Sequence, residues 1–203
     1  DARLAPMASP KRQAADARER VEIKSRAEWR RWLAKHHTQT DAIWLVRWKK
    51  DRGPYVSYDD IVDEALCFGW IDSLPRVLDD DRTMLLLAPR KPKSAWSAVN
   101  KKRVARLLAE GRMAAPGLAA IETAKANGAW QKLDGVETPP SDLVAAFKRY
   151  PGSAKNFAAF QPSVRRGILE WIVQAKKPET RAKRIVETAA LAVQNKRANQ
   201  WRG

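Results

Sequence analysis

The stretch from Ser57 to Pro89, SYDDIVDEALCFGWIDSLPRVLDDDRTMLLLAP, leaves this chain few choices of fold. Ser57 stands three residues before Asp60, a helix-capping pattern, and Gly69 stands where the glycine after a helix end belongs. Asp59, Asp60 and Asp63 fall in the first turns and suit the positive pole of the helix dipole. Two β-forming runs then flank an Asp-rich turn and read as a hairpin. A helix that feeds into a hairpin argues for a small sheet with helices on it, an α+β arrangement. Within this run, Cys67, Phe68 and Ile71 read as interior packing behind the glycine stop. Trp70 and Asp72 share the opposite strand face from Ile71 by period-two alternation.

The flanking sequence extends the same scheme. Ser25 and Glu28 form a capping box ahead of a helix whose Trp29, Trp32, Leu33 and His36 repeat at helical spacing. AIWLVRWKK, residues 42–50, adds a strand with Ile43 and Leu45 on one side and Trp44, Val46 and Trp48 on the other. From Ser94 onward everything reads as helix. One helix covers about 95–110 and is closed by Gly111, and another covers about 115–127 and is closed by Gly128. Past the link LDGVETPP, four more helices start at Ser141, Ser153, Pro162 with Ser163, and Pro178. The last carries Ala182, Ile185, Val186, Ala189 and Val193 on one stripe. The expectation is a small antiparallel sheet with flanking helices followed by an all-helical C-terminal subdomain. The boundaries are a flexible basic arm over 1–23, an α+β core domain over 24–130 and the helical subdomain over 139–203.

Charge narrows the function classes. The 203 residues carry a net charge of +16, unevenly spread. Asp59 to Asp81 is net −7, Arg90 to Arg112 is net +7, and Pro151 to Gly203 is net +8. Such a field attracts an anionic small molecule, an acidic protein surface or nucleic acid. No apolar run approaches the roughly 18–20 residues of a membrane-spanning helix. A single cysteine fits a reducing compartment, so a cytoplasmic protein is expected. Two adjacent histidines and one cysteine do not make a zinc site, and His37 reads as a cap or packing residue. No phosphate loop, nucleophile elbow or dinucleotide motif is present. No metal, cofactor or catalytic residue is assigned, and the expectation leans away from an enzyme.

APRKPKSAWSAVNKKR is the strongest site candidate. Arg90, Lys91 and Lys93 lie in a proline-stiffened loop that runs into a helix start near Ser94 or Ser97. Cations beside the free N–H groups of a helix N-terminus make an anion receptor, and a solvated basic loop capped by Ser94 is the plainer alternative. Asp72, beside Trp70, needs a partner if its face is covered, and Arg90 could supply one. That pair is either structural or the core of a pocket. In the pocket version Arg90 clamps an anion, Trp96 walls the site, and Asp72 with Asn100 orients the ligand. Cys67 reads as a buried, inert thiol. A second basic cluster, Lys176, Lys177, Arg181 and Arg184, surrounds the helix start at Pro178 and keeps nucleic acid open as an alternative partner.

Four collinear motifs, EALCFGWIDS, APRKPKSAWSAVNKKRVARLLAEGRM, GLAAIETAKANGAW and AKKPETRAKRI, resemble the YdeI/OmpD-associated (bacteriocin-protection) family, from about Trp29 to the last helix. The usual family form of the second motif is TPRRPRSIWSKIN. Here Ala88 replaces its threonine and Ala98 its lysine, while Arg90, Ser94, Trp96, Ser97 and Asn100 are kept. The usual CFGWIDG ends in Ser73. The resemblance implies a link to tolerance of bacteriocins and cationic antimicrobial peptides and to an outer-membrane porin. It carries no catalytic mechanism.

Overall fold

The computed structural model describes residues 17–199. The fold is α+β, with eight helices and one four-stranded mixed sheet among the described residues. The described residues divide into two compact units, 17–94 with 99–129 and 95–98 with 130–199. No described helix is long and apolar enough to cross a membrane.

The first unit opens with strand β1 (Arg20–Glu22), which the sequence reading had placed in the arm. Residues 1–16 of that arm lie outside the described residues. β1 runs through helix α1 (Arg26–His36) into β2 (Ile43–Trp48), and the two strands pair in parallel. The expectation of a purely antiparallel sheet is therefore corrected: a strand–helix–strand crossover gives parallel pairing. Helix α2 (Tyr58–Cys67) follows, then the hairpin β3 (Trp70–Val77) and β4 (Arg82–Pro89). The strand order is β1-β2-β4-β3, and β2, β4 and β3 pair antiparallel.

Local sequence explains each boundary. Ser25 Oγ accepts from the Glu28 N–H at 3.1 Å while the Glu28 carboxylate takes the Lys24 N–H at 2.7 Å. Ser57 Oγ accepts from the Asp60 N–H at 3.0 Å. Gly69 has φ +75°, a left-handed turn that favours glycine, and it redirects the chain from α2 into β3. Register places Ile43, Leu45, Leu85 and Leu87 on one face of the sheet and Trp44, Val46, Met84 and Leu86 on the other. Pro75 is tolerated because β3 is an edge strand. The register slips between Asp72 and Pro75, a bulge that lies directly beside Asp72.

Helices α3 (Ala98–Ala109) and α4 (Ala115–Ala126) follow. The helix expected from residue 95 starts at Ala98, so Ser94 lies in the loop four residues ahead of it.

The second unit packs α5 (Ser141–Arg149), α6 (Ser153–Ala159), α7 (Pro162–Val173) and α8 (Pro178–Val193) around Leu143, Phe147, Phe157, Ile168, Ile172 and Ala189. The buried stripe of α8 is Ile185, Thr188, Ala189 and Ala192, whereas Val186 and Val193 are exposed. Thr188 fits inside because its hydroxyl donates to the Arg184 carbonyl at 2.8 Å.

Candidate functional site

At the open end of the β3–β4 pair, Trp70 faces Pro89 and the Arg90 N–H donates to the Gly69 carbonyl at 2.9 Å. This anchors Arg90 one residue beyond the sheet, half-buried, while Lys91 and Lys93 after it are exposed. Burial pulls the Arg90 guanidinium down to about 10, and the Asp72 carboxylate works against that by attraction. Asp72 also accepts a hydrogen bond from the Tyr58 hydroxyl at 2.7 Å. Helix α2, strand β3 and the β4 exit thus bring Tyr58, Asp72 and Arg90 together.

Trp70 sits beneath them, fully buried, edge-on to Trp32 at 5.7 Å. Trp32 in turn stacks on His36 at 4.4 Å and on Trp29 at 5.3 Å. The Trp70 Nε1–H is buried without a hydrogen-bond partner. Of the other expected site residues, Ser94 closes the loop through its N–H to the Lys91 carbonyl at 2.9 Å, and Asn100 is half-buried in the first turn of α3. Trp96 belongs to the second compact unit, buried against Trp130 with ring centroids 5.0 Å apart.

Sequence reasoning missed Tyr58. It reaches Asp72 across fourteen residues from the exposed start of α2. Burial first, and then its bond to Asp72, lift the Tyr58 phenol above the ordinary tyrosine range. A raised folded value favours the neutral phenol, so its stabilisation is complete below the ordinary tyrosine value and fades as pH rises through the higher folded value. In a 295 nm titration the wild type should show a step above the ordinary tyrosine range, and Tyr58→Phe should delete that step. A wild-type titration with no such step would contradict the Tyr58–Asp72 bond.

A second cluster lies deeper. Asp63 and Glu64 are buried mid-helix on α2, Glu64 with 1% of its side chain exposed. Glu64 receives Arg26 Nε and Arg30 Nη1, each at 2.6 Å, and Arg112 Nη2 at 3.0 Å. Asp63 receives Arg103 Nη1 at 3.0 Å and Arg106 Nη2 at 2.6 Å. Burial pushes the Glu64 carboxyl up, and the hydrogen bonds from Arg26, Arg30 and Arg112 outweigh it and hold the group below its ordinary value of 4.5. Arg103, Arg106 and Arg112 of the basic sequence block thus meet Asp63 and Glu64 of the acidic one, together with Arg26 and Arg30 from α1. Asp63 serves this lattice, not only the helix dipole. The available signal was a pair of acids between the apolar neighbours Val62 and Ala65.

Cys67 is buried, and burial followed by Glu64 raises its thiol, so no thiolate is prepared there. His36 and His37 donate locally at the end of α1, from Nδ1 to the Trp32 carbonyl at 2.8 Å and to the Ala34 carbonyl at 3.1 Å respectively. Among the described residues no group of three or more His, Cys, Asp and Glu is placed to hold a metal ion.

In the second basic cluster, Arg181 forks onto Asp142 at 2.7 and 3.0 Å. Arg184 donates to the Trp171 carbonyl and lies over the Trp171 ring, 4.8 Å from its centroid. Two of the four cations thus tie helices together, while Lys176 and Lys177 are exposed.

Two family models match the chain. Residues 21–120 match a domain of unknown function (DUF8412), and residues 138–195 match the model described as bacteriocin-protection, YdeI or OmpD-associated. Of the four sequence motifs, AKKPETRAKRI lies inside the second match, while EALCFGWIDS and the Arg90 motif lie inside the first. No curated protein and no solved structure matches the chain.

Proposed function

We propose, taking as premise that residues 138–195 belong to the YdeI/OmpD-associated family, that this protein is a binding protein for an anionic small molecule or an acidic protein surface, received at the Arg90 end of β4. The observation that carries the proposal is a half-buried Arg90, held at the β4 exit by its N–H on the Gly69 carbonyl and attracted by Asp72, with the exposed Lys91 and Lys93 directly after it. A guanidinium takes a carboxylate or phosphate through charge-assisted hydrogen bonds, and the Nε and Nη2 of Arg90 are buried, where such bonds are stronger than in water. Asp72, held by Tyr58, attracts the guanidinium, and the lysines draw anions toward it. Part of the guanidinium's dehydration has already occurred in folding, so an incoming oxyanion meets a partly dehydrated cation.

Direct capture of cationic peptides is the weaker reading. The acidic block 59–81 would have to bind them, and seven of its eight carboxylates are engaged within the chain. Asp59 pairs with Arg103, Asp60 with Arg26, Asp79 with Arg82 and Asp81 with Arg52, besides Asp63, Glu64 and Asp72. Peptide protection is therefore assigned here as a physiological consequence of anion binding, not as the binding event. Nucleic-acid binding is the lesser alternative, because Arg181 and Arg184 are committed to internal contacts.

Thermal melting with pyrophosphate and with citrate, each against chloride at matched ionic strength, tests the proposal. At about 100 times Kd a bound anion stabilises by ~2.7 kcal/mol, a rise of several degrees in this size class. Arg90→Gln should abolish the rise while leaving the unliganded protein folded. No rise with either anion, or an equal rise in the variant, overturns the assignment.

A further inference from the structure

The second unit contains two adjoining cavities, of about 410 and 590 Å³, which share Glu137 and Arg165 in their linings. We propose that the 410 Å³ cavity is a separate binding site for a small carboxylate with an aromatic or branched apolar body. The apolar end is walled by Pro139, Val144, Phe147 and Phe157. Phe147 and Phe157 pack at 5.3 Å, and Phe157 meets Phe160 edge-on at 6.0 Å, so the floor is a fixed aromatic surface. Ala154 and Ala158, one turn apart on α6, leave the space open above it.

The lining is also cationic. Lys148 lines the first cavity, Arg165 lines both, and Arg166 lines the second, against the single acid Glu137. Glu137 and Glu170 already occupy Arg166, at 3.4 and 3.2 Å. Arg165 gives one N–H to the Ala158 carbonyl at 3.2 Å, which steadies the guanidinium at the junction and leaves the rest of its fork for a ligand. An apolar chamber with a few convergent polar groups is the usual make-up of a small-molecule site, and about 410 Å³ lies toward the small end of the roughly 300–1,000 Å³ such sites occupy. The charge at the rim selects an anion, and the phenylalanine floor selects the body attached to it. This site shares no residue with the Arg90 site, so the two stand or fall separately.

The test titrates the full-length protein with 2-naphthoate while recording backbone amide spectra. Saturable shifts should map to residues 137–166 and persist unchanged in Arg90→Gln. Ala158→Phe, which fills the chamber from an exposed position, should abolish them. Lys148→Gln with Arg165→Gln should weaken binding about tenfold, the scale of a lost charge-assisted hydrogen bond. 2-Naphthalenemethanol, with the same ring system and no charge, should be weaker by a similar factor in the wild type, a comparison that needs no variant to fold. Absence of saturable shifts, shifts mapping to the first unit, undiminished binding by Ala158→Phe, or equal binding of the alcohol each overturns the proposal.

Discussion

Glu64→Gln should lower the stability of the first unit by about 3–5 kcal/mol, the cost of removing one partner from a buried ion pair. The carboxylate is 1% exposed and holds Arg26 and Arg30 from α1 and Arg112 from the segment after α3. The amide keeps shape and one acceptor but removes the charge that the three guanidinium groups share, leaving Arg26 with Asp60 at 3.4 Å and Arg112 with Glu110 at 2.9 Å and Asp63 at 3.9 Å. The melting temperature should fall on the order of 10 °C. The pH dependence carries the sharper signature. The folded carboxyl lies below its ordinary 4.5, so its contribution is complete above that value and is lost as pH falls through the folded value. The gap between wild type and variant should therefore be full at pH 7 and close progressively on the acid side of 4.5. A gap that stays constant across that window would show that Glu64 acts by packing and not by charge.

Gly117→Ala should be nearly as damaging, for a steric reason. A Cβ at Gly117 would meet the Cys67 backbone carbonyl, with the carbonyl carbon at 2.7 Å, and the Met113 Cε at 2.8 Å. The Cys67 carbonyl cannot withdraw easily, because it accepts the Ala114 N–H at 3.1 Å where α4 presses on the end of α2. Alanine ordinarily gains about 1 kcal/mol over glycine inside a helix. Here the overlap is with backbone, and overpacking of that kind costs about 1–3 kcal/mol or more, so the variant is expected to be less stable by roughly 2 kcal/mol. Cys67 supplies the readout. Buried and held as a thiol, it should ignore a disulfide probe in the wild type and react in the variant as the helix ends part. A variant of unchanged stability with a silent thiol would mean that the two helix ends do not meet this closely.

The elements that could be read from sequence are those whose cause is local. Ser25 and Ser57 announce their helices through bonds three residues long, and Gly69 marks its turn by needing positive φ. The four C-terminal helices begin at the residues expected, Ser141, Ser153, Pro162 and Pro178. β1 was hidden because three residues carry no periodicity, and only their partners in β2 make them a strand. Of the stripe expected on α8, Ile185 and Ala189 are buried while Val186 and Val193 are exposed, because alanine and a self-bonded threonine suffice where helices approach closely.

The candidate site divides the same way. Trp70 and Asp72 share a face by simple alternation, and the hairpin returns the chain so that the Arg90 N–H reaches the Gly69 carbonyl. Tyr58 and the arginine lattice do not follow from such short-range rules, since Arg103 and Arg106 reach Asp63 across 40 and 43 residues. Charge blocks of opposite sign suggested external partners, yet Arg103, Arg106 and Arg112 turn inward to the acids of α2.

The decisive measurement is the Nε–H resonance of Arg90, identified by its disappearance in Arg90→Lys, followed during titration with pyrophosphate. A saturable shift of that signal, with the same half-point as the rise in melting temperature, is the result predicted for an anion held in the guanidinium fork. A signal that stays in place while pyrophosphate shifts other resonances would contradict it and locate anion binding elsewhere on the protein.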